Sequence, residues 1–200
     1  MIAIIDYGAG NIFSVKNALD YLGVENKLTA DKNEICAADE IILPGVGAFP
    51  WAMKMLRDSG LVDTIREEAR KKPFLGICLG MQLIFDKGYE FEETDGLRLI
   101  GGKVEKIDRK NMIIPHMGWN ELEINRDCPI LKSLPEHPYV YFVHSYAAVC
   151  DDANVSAYCD YGGKITALVH DGAYVYGAQF HPEKSGEVGL QMLRNFAELA

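Results

Sequence analysis

Hydrophobic positions along the first half of the chain alternate between two patterns. "IAIID" at 2–6, "EIILPG" at 40–45 and "FLGIC" at 74–78 are nearly unbroken apolar runs, as expected of strands buried on both faces. Between them the period lengthens. Ile12, Val15, Leu19 and Leu22 recur at helical spacing within 11–23 and stop at Gly23, residues 49 to about 71 read as helix with a break at Gly60, and "LGMQLIFD" at 79–86 reads as a further helix. Strand and helix in this alternation predict parallel strands joined by right-handed crossovers, an α/β fold with a mostly parallel sheet flanked by helices.

After Gly96 the texture changes. "LRLIGGKVEKI", "NMIIPHMGWNELEI", "YVYFVHSYAAV" and "ITALVHDGAYVYGAQFHP" are rich in Val, Ile, Tyr and Phe and broken by Gly, Pro and Asp, which predicts additional antiparallel strands and hairpins, one centred on Asp171 and Gly172. The final "SGEVGLQMLRNFAELA" is an amphipathic helix with Val188, Leu190, Leu193 and Phe196 on its buried stripe.

Composition narrows the class. At 200 residues with 48% hydrophobic content, no repeat and no low-complexity linker, one domain over 1–200 is expected. No run reaches the roughly 20 apolar residues of a membrane helix and no signal-peptide pattern opens the chain, so a cytoplasmic location is expected. Five irregularly spaced cysteines form no C-x-x-C pair and fit reduced thiols, not a disulfide frame or zinc site. A net charge of −9 argues against nucleic-acid and anionic-membrane partners.

Candidate chemistry begins at Cys78, where a strand ends and a helix starts, between Gly76 and Gly80. Such an elbow exposes its side chain at the carboxyl edge of the sheet, and the helix start favours thiolate over thiol. A buried cysteine closing a strand is equally compatible with core packing, so partners must decide. "QFHPEKS" at 179–185 offers one: in an extended segment His181 and Glu183 face the same way, an imidazole with a carboxylate to orient it. "LPGVGAF" at 43–49 is a glycine-rich turn whose N–H groups, with that of Leu79, suit an oxyanion. Each has a bland alternative, a surface ion pair for the first and a tight turn for the second. "DYGAGN" at 6–11 lacks the third glycine of a dinucleotide fingerprint, and no Walker sequence is present, so no nucleotide cofactor is expected. His116, His137, His144 and His170 lack metal-ligand spacing, and no metal is expected.

Taken together, "DYGAGN", "PGVGAF", "GICLGMQ", "PHMGWN", "FVHSY" and "GAQFHPEKSG" resemble the class I glutamine amidotransferases, and among them the glutaminase subunits of imidazole glycerol phosphate synthases. The resemblance implies a flavodoxin-like scaffold and hydrolysis of L-glutamine by a Cys78–His181–Glu183 triad through a γ-glutamyl thioester. It further implies an oxyanion hole near Val46 or Gly47 and Leu79, with Gln82, Ser145 and Tyr146 holding substrate. The implied partner is a cyclase subunit that receives the ammonia, docked near Asn11, Met117 and Trp119, although for Trp119 a core position remains open. A glutaminase feeding another synthase, a γ-glutamyl hydrolase, or a non-catalytic module on the same scaffold remain alternatives.

Overall fold

The computed structural model describes residues 1–108 and 112–200. The first half runs β1 (Ile2–Ile5), α1 (Ile12–Tyr21), β2 (Asn26–Thr29), α2 (Lys32–Ala37), β3 (Glu40–Gly45), α3 (Phe49–Asp58), α4 (Val62–Glu68), β4 (Phe74–Cys78) and α5 (Leu79–Leu83). The second half holds β5 (Lys87–Gly88), β6 (Thr94–Asp95), β7 (Gly102–Lys106), β8 (His116–Glu121), β9 (Glu123–Ile124), β10 (Tyr139–His144), β11 (Tyr146–Cys150), β12 (Val155–Asp160), β13 (Lys164–His170), β14 (Val175–Ala178) and α6 (Gly186–Ala197).

One sheet of eight strands, in the order β2-β1-β3-β4-β14-β13-β12-β9, organises these elements. From β2 to β14 every pairing is parallel, in the order of a doubly wound flavodoxin-like sheet, and from β14 to β9 every pairing is antiparallel. Alternation along the apolar runs divides the core. Ile2, Ile4, Ile42, Leu75 and Ile77 face α1 and α6, while Ile5, Ile41, Leu43 and Phe74 face the α3 and α4 layer with Phe49, Met53 and Ile65. β8 and β10 form a separate antiparallel ribbon, and β11, β7, β5 and β6 a third, small sheet.

Several elements differ from the sequence expectation. β2 and α2 carry no apolar run: β2 is an edge strand with one buried residue, and α2 is a short helix capped by the Asp31 carboxylate, which accepts from the N–H of Asn33 at 2.7 Å. The helix expected over 79–86 stops at Leu83. The carbonyls of Leu83 and Ile84 accept instead from the N–H groups of Leu97 and Leu99, at 2.7 and 2.8 Å, so this segment clasps the 97–100 loop. On α6 the buried stripe is Gly189, Met192, Leu193 and Phe196, with Val188 and Leu190 only half-buried. Gly189 packs so closely on the Pro182 turn that a Cβ there would lie 1.9 Å from the Pro182 carbonyl oxygen. The hairpin at 171–172 forms as expected, with Asp171 Oδ1 accepting from the N–H groups of Ala173 and Val175.

Candidate active site

The carboxyl ends of β3, β4 and β14 meet at one edge of the large sheet, and the candidate chemistry gathers there. At the end of β4 the chain turns directly into α5 through Cys78, which takes φ 55° and ψ −110°, a conformation side chains rarely adopt. Close packing holds it. A Cβ on Gly80 would sit 1.8 Å from the Leu43 carbonyl oxygen, and one on Gly76 would sit 2.6 Å from the Gly80 oxygen, so α5 lies on β3 and β4 at a distance only glycine allows. The strain at Cys78 is therefore fixed by its neighbours.

β14 delivers the second element. After Phe180 the chain reaches His181, extended at φ −101° and ψ 97°, and then enters a 3₁₀ turn over Pro182–Lys184. The expected pairing is present, with His181 Nδ1 and Glu183 Oε1 2.8 Å apart and both side chains buried. Its local cause differs, because the turn rather than an extended strand brings the carboxylate back under the ring. Glu183 Oε2 is buried without a partner among the described residues, so the carboxylate acts on the imidazole alone. With Nδ1 engaged, the other ring nitrogen is left for Cys78, which lines the same cleft and raises the imidazole's proton affinity. Burial would push the imidazole down; the Cys78 sulfur and Glu183 more than reverse this and hold it at about 9. A thiol, an imidazole kept protonated and a buried carboxylate in series can perform nucleophilic acyl chemistry.

Cys78 and His181 open on a cleft of about 310 Å³, with Glu183 buried behind the imidazole. Val46 and Gly47, both exposed, and Leu79 line it, Gly47 at φ 97° where its turn needs glycine. Gln82, Ser145 and Tyr146 line it as well. The carbonyls of Ser145 and Tyr146 already accept from the N–H of Ile107 and the Gln82 amide, so a ligand there meets their remaining groups. Two further residues had no sequence expectation attached. Glu90 lines the cleft and its Oε2 accepts from the Phe49 N–H at 2.8 Å, fastening the 43–49 turn; Gln179, fully buried, places its Nε2 3.9 Å from Cys78 Sγ. Gln179 was accessible by the two-residue rule of an extended segment, being two before His181, whereas nothing distinguishes Glu90 from the other carboxylates of "YEFEETD". A larger cleft of about 1200 Å³ lies between α3, α4 and the 91–98 segment, but it contains neither Cys78 nor His181.

The remaining candidates sit outside the cleft. Asn11 begins α1, its side-chain oxygen accepting from Ser14, and Met117 and Trp119 project from β8 with 60% and 53% exposure. Trp119 is thus not a core aromatic; it meets the Tyr141 ring edge-on at 6.1 Å. His116 is fully buried between Phe142 and Tyr161, one ring nitrogen 3.0 Å from His144, whose Nδ1–H donates to the Tyr146 carbonyl. Burial pushes His144 down to about 3. Among the described residues no group of three or more His, Cys, Asp or Glu side chains converges as a metal site requires.

The sequence matches the family model described as "Glutamine amidotransferase class-I" over residues 3–199. A Bacillus cereus (strain G9842) protein described as "Imidazole glycerol phosphate synthase subunit HisH" is 51% identical over 197 residues, 98% of this chain and 93% of that protein. A Listeria monocytogenes serotype 4a (strain HCC23) protein of the same description is 48% identical, covering 100% of this chain and 96% of its own. At 22% identity, a solved glutamine amidotransferase superposes with a TM-score of 0.76 over 100% of this chain and 98% of that one. PurLQS from Thermotoga maritima shares the fold at a TM-score of 0.75, with 98% and 96% covered.

Proposed function

The chain belongs to the class I glutamine amidotransferases, and on that premise we propose that it is the glutaminase subunit of an imidazole glycerol phosphate synthase in histidine biosynthesis. It hydrolyses L-glutamine to glutamate and ammonia, and residues 1–200 serve as one glutaminase domain. The observation that carries this reading is that Cys78 and His181 line one cleft while Glu183, buried behind, engages His181 Nδ1.

The Cys78 sulfur attacks the side-chain amide carbon of glutamine, and the C–N bond breaks as His181 gives its proton to the departing ammonia. Glu183 holds the ring's orientation and supports its charge. The N–H groups of Leu79 and of Val46 or Gly47 receive the oxyanion. His181 then takes a proton from water, which attacks the γ-glutamyl thioester and returns the thiolate. Gln82, with the backbone of Ser145 and Tyr146, holds the substrate, and the Glu90 carboxylate at the cleft wall complements its α-ammonium group.

Ammonia released into water is mostly protonated and lost as a nucleophile, so a second subunit must receive it. The relatives named as synthase subunits support a cyclase partner that makes imidazole glycerol phosphate and aminoimidazole carboxamide ribonucleotide. Asn11, Met117 and Trp119 form part of its docking face. No helix among the described residues is long and apolar enough to cross a membrane, and the proposed biosynthetic role is one carried out in the cytoplasm.

The test is glutamine hydrolysis by the purified chain, alone and with the cyclase subunit and its nucleotide ligand. Weak hydrolysis alone and strong stimulation in the complex are expected; equal rates would overturn the pathway assignment. Labelling by a glutamine-mimicking diazoketone is expected at Cys78, and labelling at Cys36 or Cys150 instead would overturn the site.

A further inference from the structure

A one-way chain of amide hydrogen bonds runs beneath the cleft. The Tyr146 carbonyl is an acceptor only, and Gln82 meets it with Nε2 at 3.0 Å. The same Gln82 nitrogen lies 3.0 Å from Gln179, so the Gln179 atom there is its oxygen, Oε1. Gln179 Nε2 is then turned to Cys78 Sγ, 3.9 Å away. One backbone carbonyl thus sets the direction of both side-chain amides.

Two consequences follow for the chemistry. Both Gln82 N–H groups are consumed by protein, so its remaining polar atom, Oε1, without a partner among the described residues, is an acceptor for a ligand N–H at the cleft. At the sulfur, a neutral amide donor strengthens its bond when the thiol ionises, while the reversed amide would set an oxygen against the thiolate. Neither group is free to turn, because Gln179 is fully buried and its N–H donates to the Ala167 carbonyl at 2.9 Å in continuation of β14, beside the end of β4.

From this geometry we infer that Gln179 is a positioning residue that holds the Gln82 amide oxygen toward the carboxamide N–H groups of glutamine and offers an N–H to the Cys78 thiolate. The inference rests on the glutaminase reading for its substrate, but not for its action on the sulfur. It also gives a reason for amide selectivity, since a γ-ester lacks the N–H donor that Gln82 would accept.

Gln179→Met keeps the volume and removes both polar ends. In the complex with the cyclase, its KM for glutamine is expected to rise about tenfold, and Cys78 alkylation by iodoacetamide at neutral pH, followed on the Cys78 peptide, to slow about tenfold. The alkylation rate at high pH should stay as in the wild type. The double variant with Gln82→Met should show no higher KM than Gln82→Met alone, since both changes remove one device. Ammonia-dependent synthesis unchanged from wild type verifies fold and docking. Wild-type KM and alkylation in Gln179→Met would overturn the inference, as would additive KM effects. Should Gln179→Met not fold, Gln82→Met releases the Gln179 amide and must also slow Cys78 alkylation; an unchanged rate overturns the inference. A wild-type complex that ignores glutamine would instead overturn the glutaminase reading, with alkylation still reporting on Gln179 and the sulfur.

Discussion

The Cys78 turn and the His181 turn end neighbouring parallel strands, β4 and β14, yet they are held by opposite means. At Cys78 the backbone is strained and the restraint is steric: Gly76, Gly80 and Gly45 let α5 lie against β3 with no space for another atom. At His181 the backbone is ordinary and the restraint is polar. Its N–H donates to the Tyr141 carbonyl at 3.0 Å, its carbonyl accepts from Ser185 Oγ at 2.6 Å, and that hydroxyl in turn accepts from the Tyr141 N–H at 3.0 Å. A nucleophile lifted into the cleft thus relies on close approach, and the base beside it on a buried hydrogen-bond clamp.

Substitutions that add volume should therefore separate the two turns most. Gly80→Ala drives a methyl group into the Leu43 oxygen 1.8 Å away, and since that neighbour is sheet backbone it has little room to give. A loss of about 3 kcal/mol or more is expected, a fall in Tm of about 6–12 °C for a chain of this size. Ser185→Ala removes volume instead and strands the Tyr141 N–H, with an expected loss of about 1–3 kcal/mol. Thermal unfolding of both variants measures the contrast. A Gly80→Ala chain as stable as the wild type would break the steric account of the elbow.

The difference in construction also explains what could be read in advance. The elbow is local: a buried run, a cysteine and glycines at fixed spacing announce a close helix-strand approach within seven residues. The His181–Glu183 pair is local too, although its expected strand is a 3₁₀ turn. Contacts made across the fold left no such mark: Glu90 reaches Phe49 over 41 positions with nothing in its own segment to single it out, and Gln179, although two residues before His181, reaches Cys78 over 101. β2 and α2 escaped for another reason: an edge strand and a one-sided short helix need few apolar residues, so their pattern is mostly polar.

Titration sharpens the comparison further, through the charge that the His181 turn carries. His181 stands at about 9 against an ordinary 6.5, opposed by burial and raised by Cys78 and Glu183. A raised value means the protonated ring stabilises the fold. That contribution is complete below about 6.5 and declines as pH rises, until it is lost above about 9. Glu183→Gln removes one raising group, so the decline in Tm and the basic limb of glutamine turnover should both move down by about one pH unit. A basic limb that stays near its wild-type position would show that Glu183 contributes packing alone.

The smallest stability effect is expected where the polar clamp meets the surface. Trp119 pairs with Tyr141 across the β8–β10 ribbon, half exposed, and Tyr141 is the residue whose carbonyl holds the His181 N–H. Trp119→Ala removes one edge-on ring contact and little buried area, so Tm should correspond to a change within about 0.5 kcal/mol. Hydrolysis by the chain alone should be unaltered, because Trp119 touches neither the cleft nor the base. In the complex, stimulation should fall at least tenfold, since an exposed aromatic is the kind of anchor a partner's pocket fills. Loss of stimulation without loss of stability would place the ribbon between partner and base. Equal loss of isolated and stimulated rates would make Trp119 a support for the His181 turn instead, acting through the Tyr141 carbonyl that holds the His181 N–H.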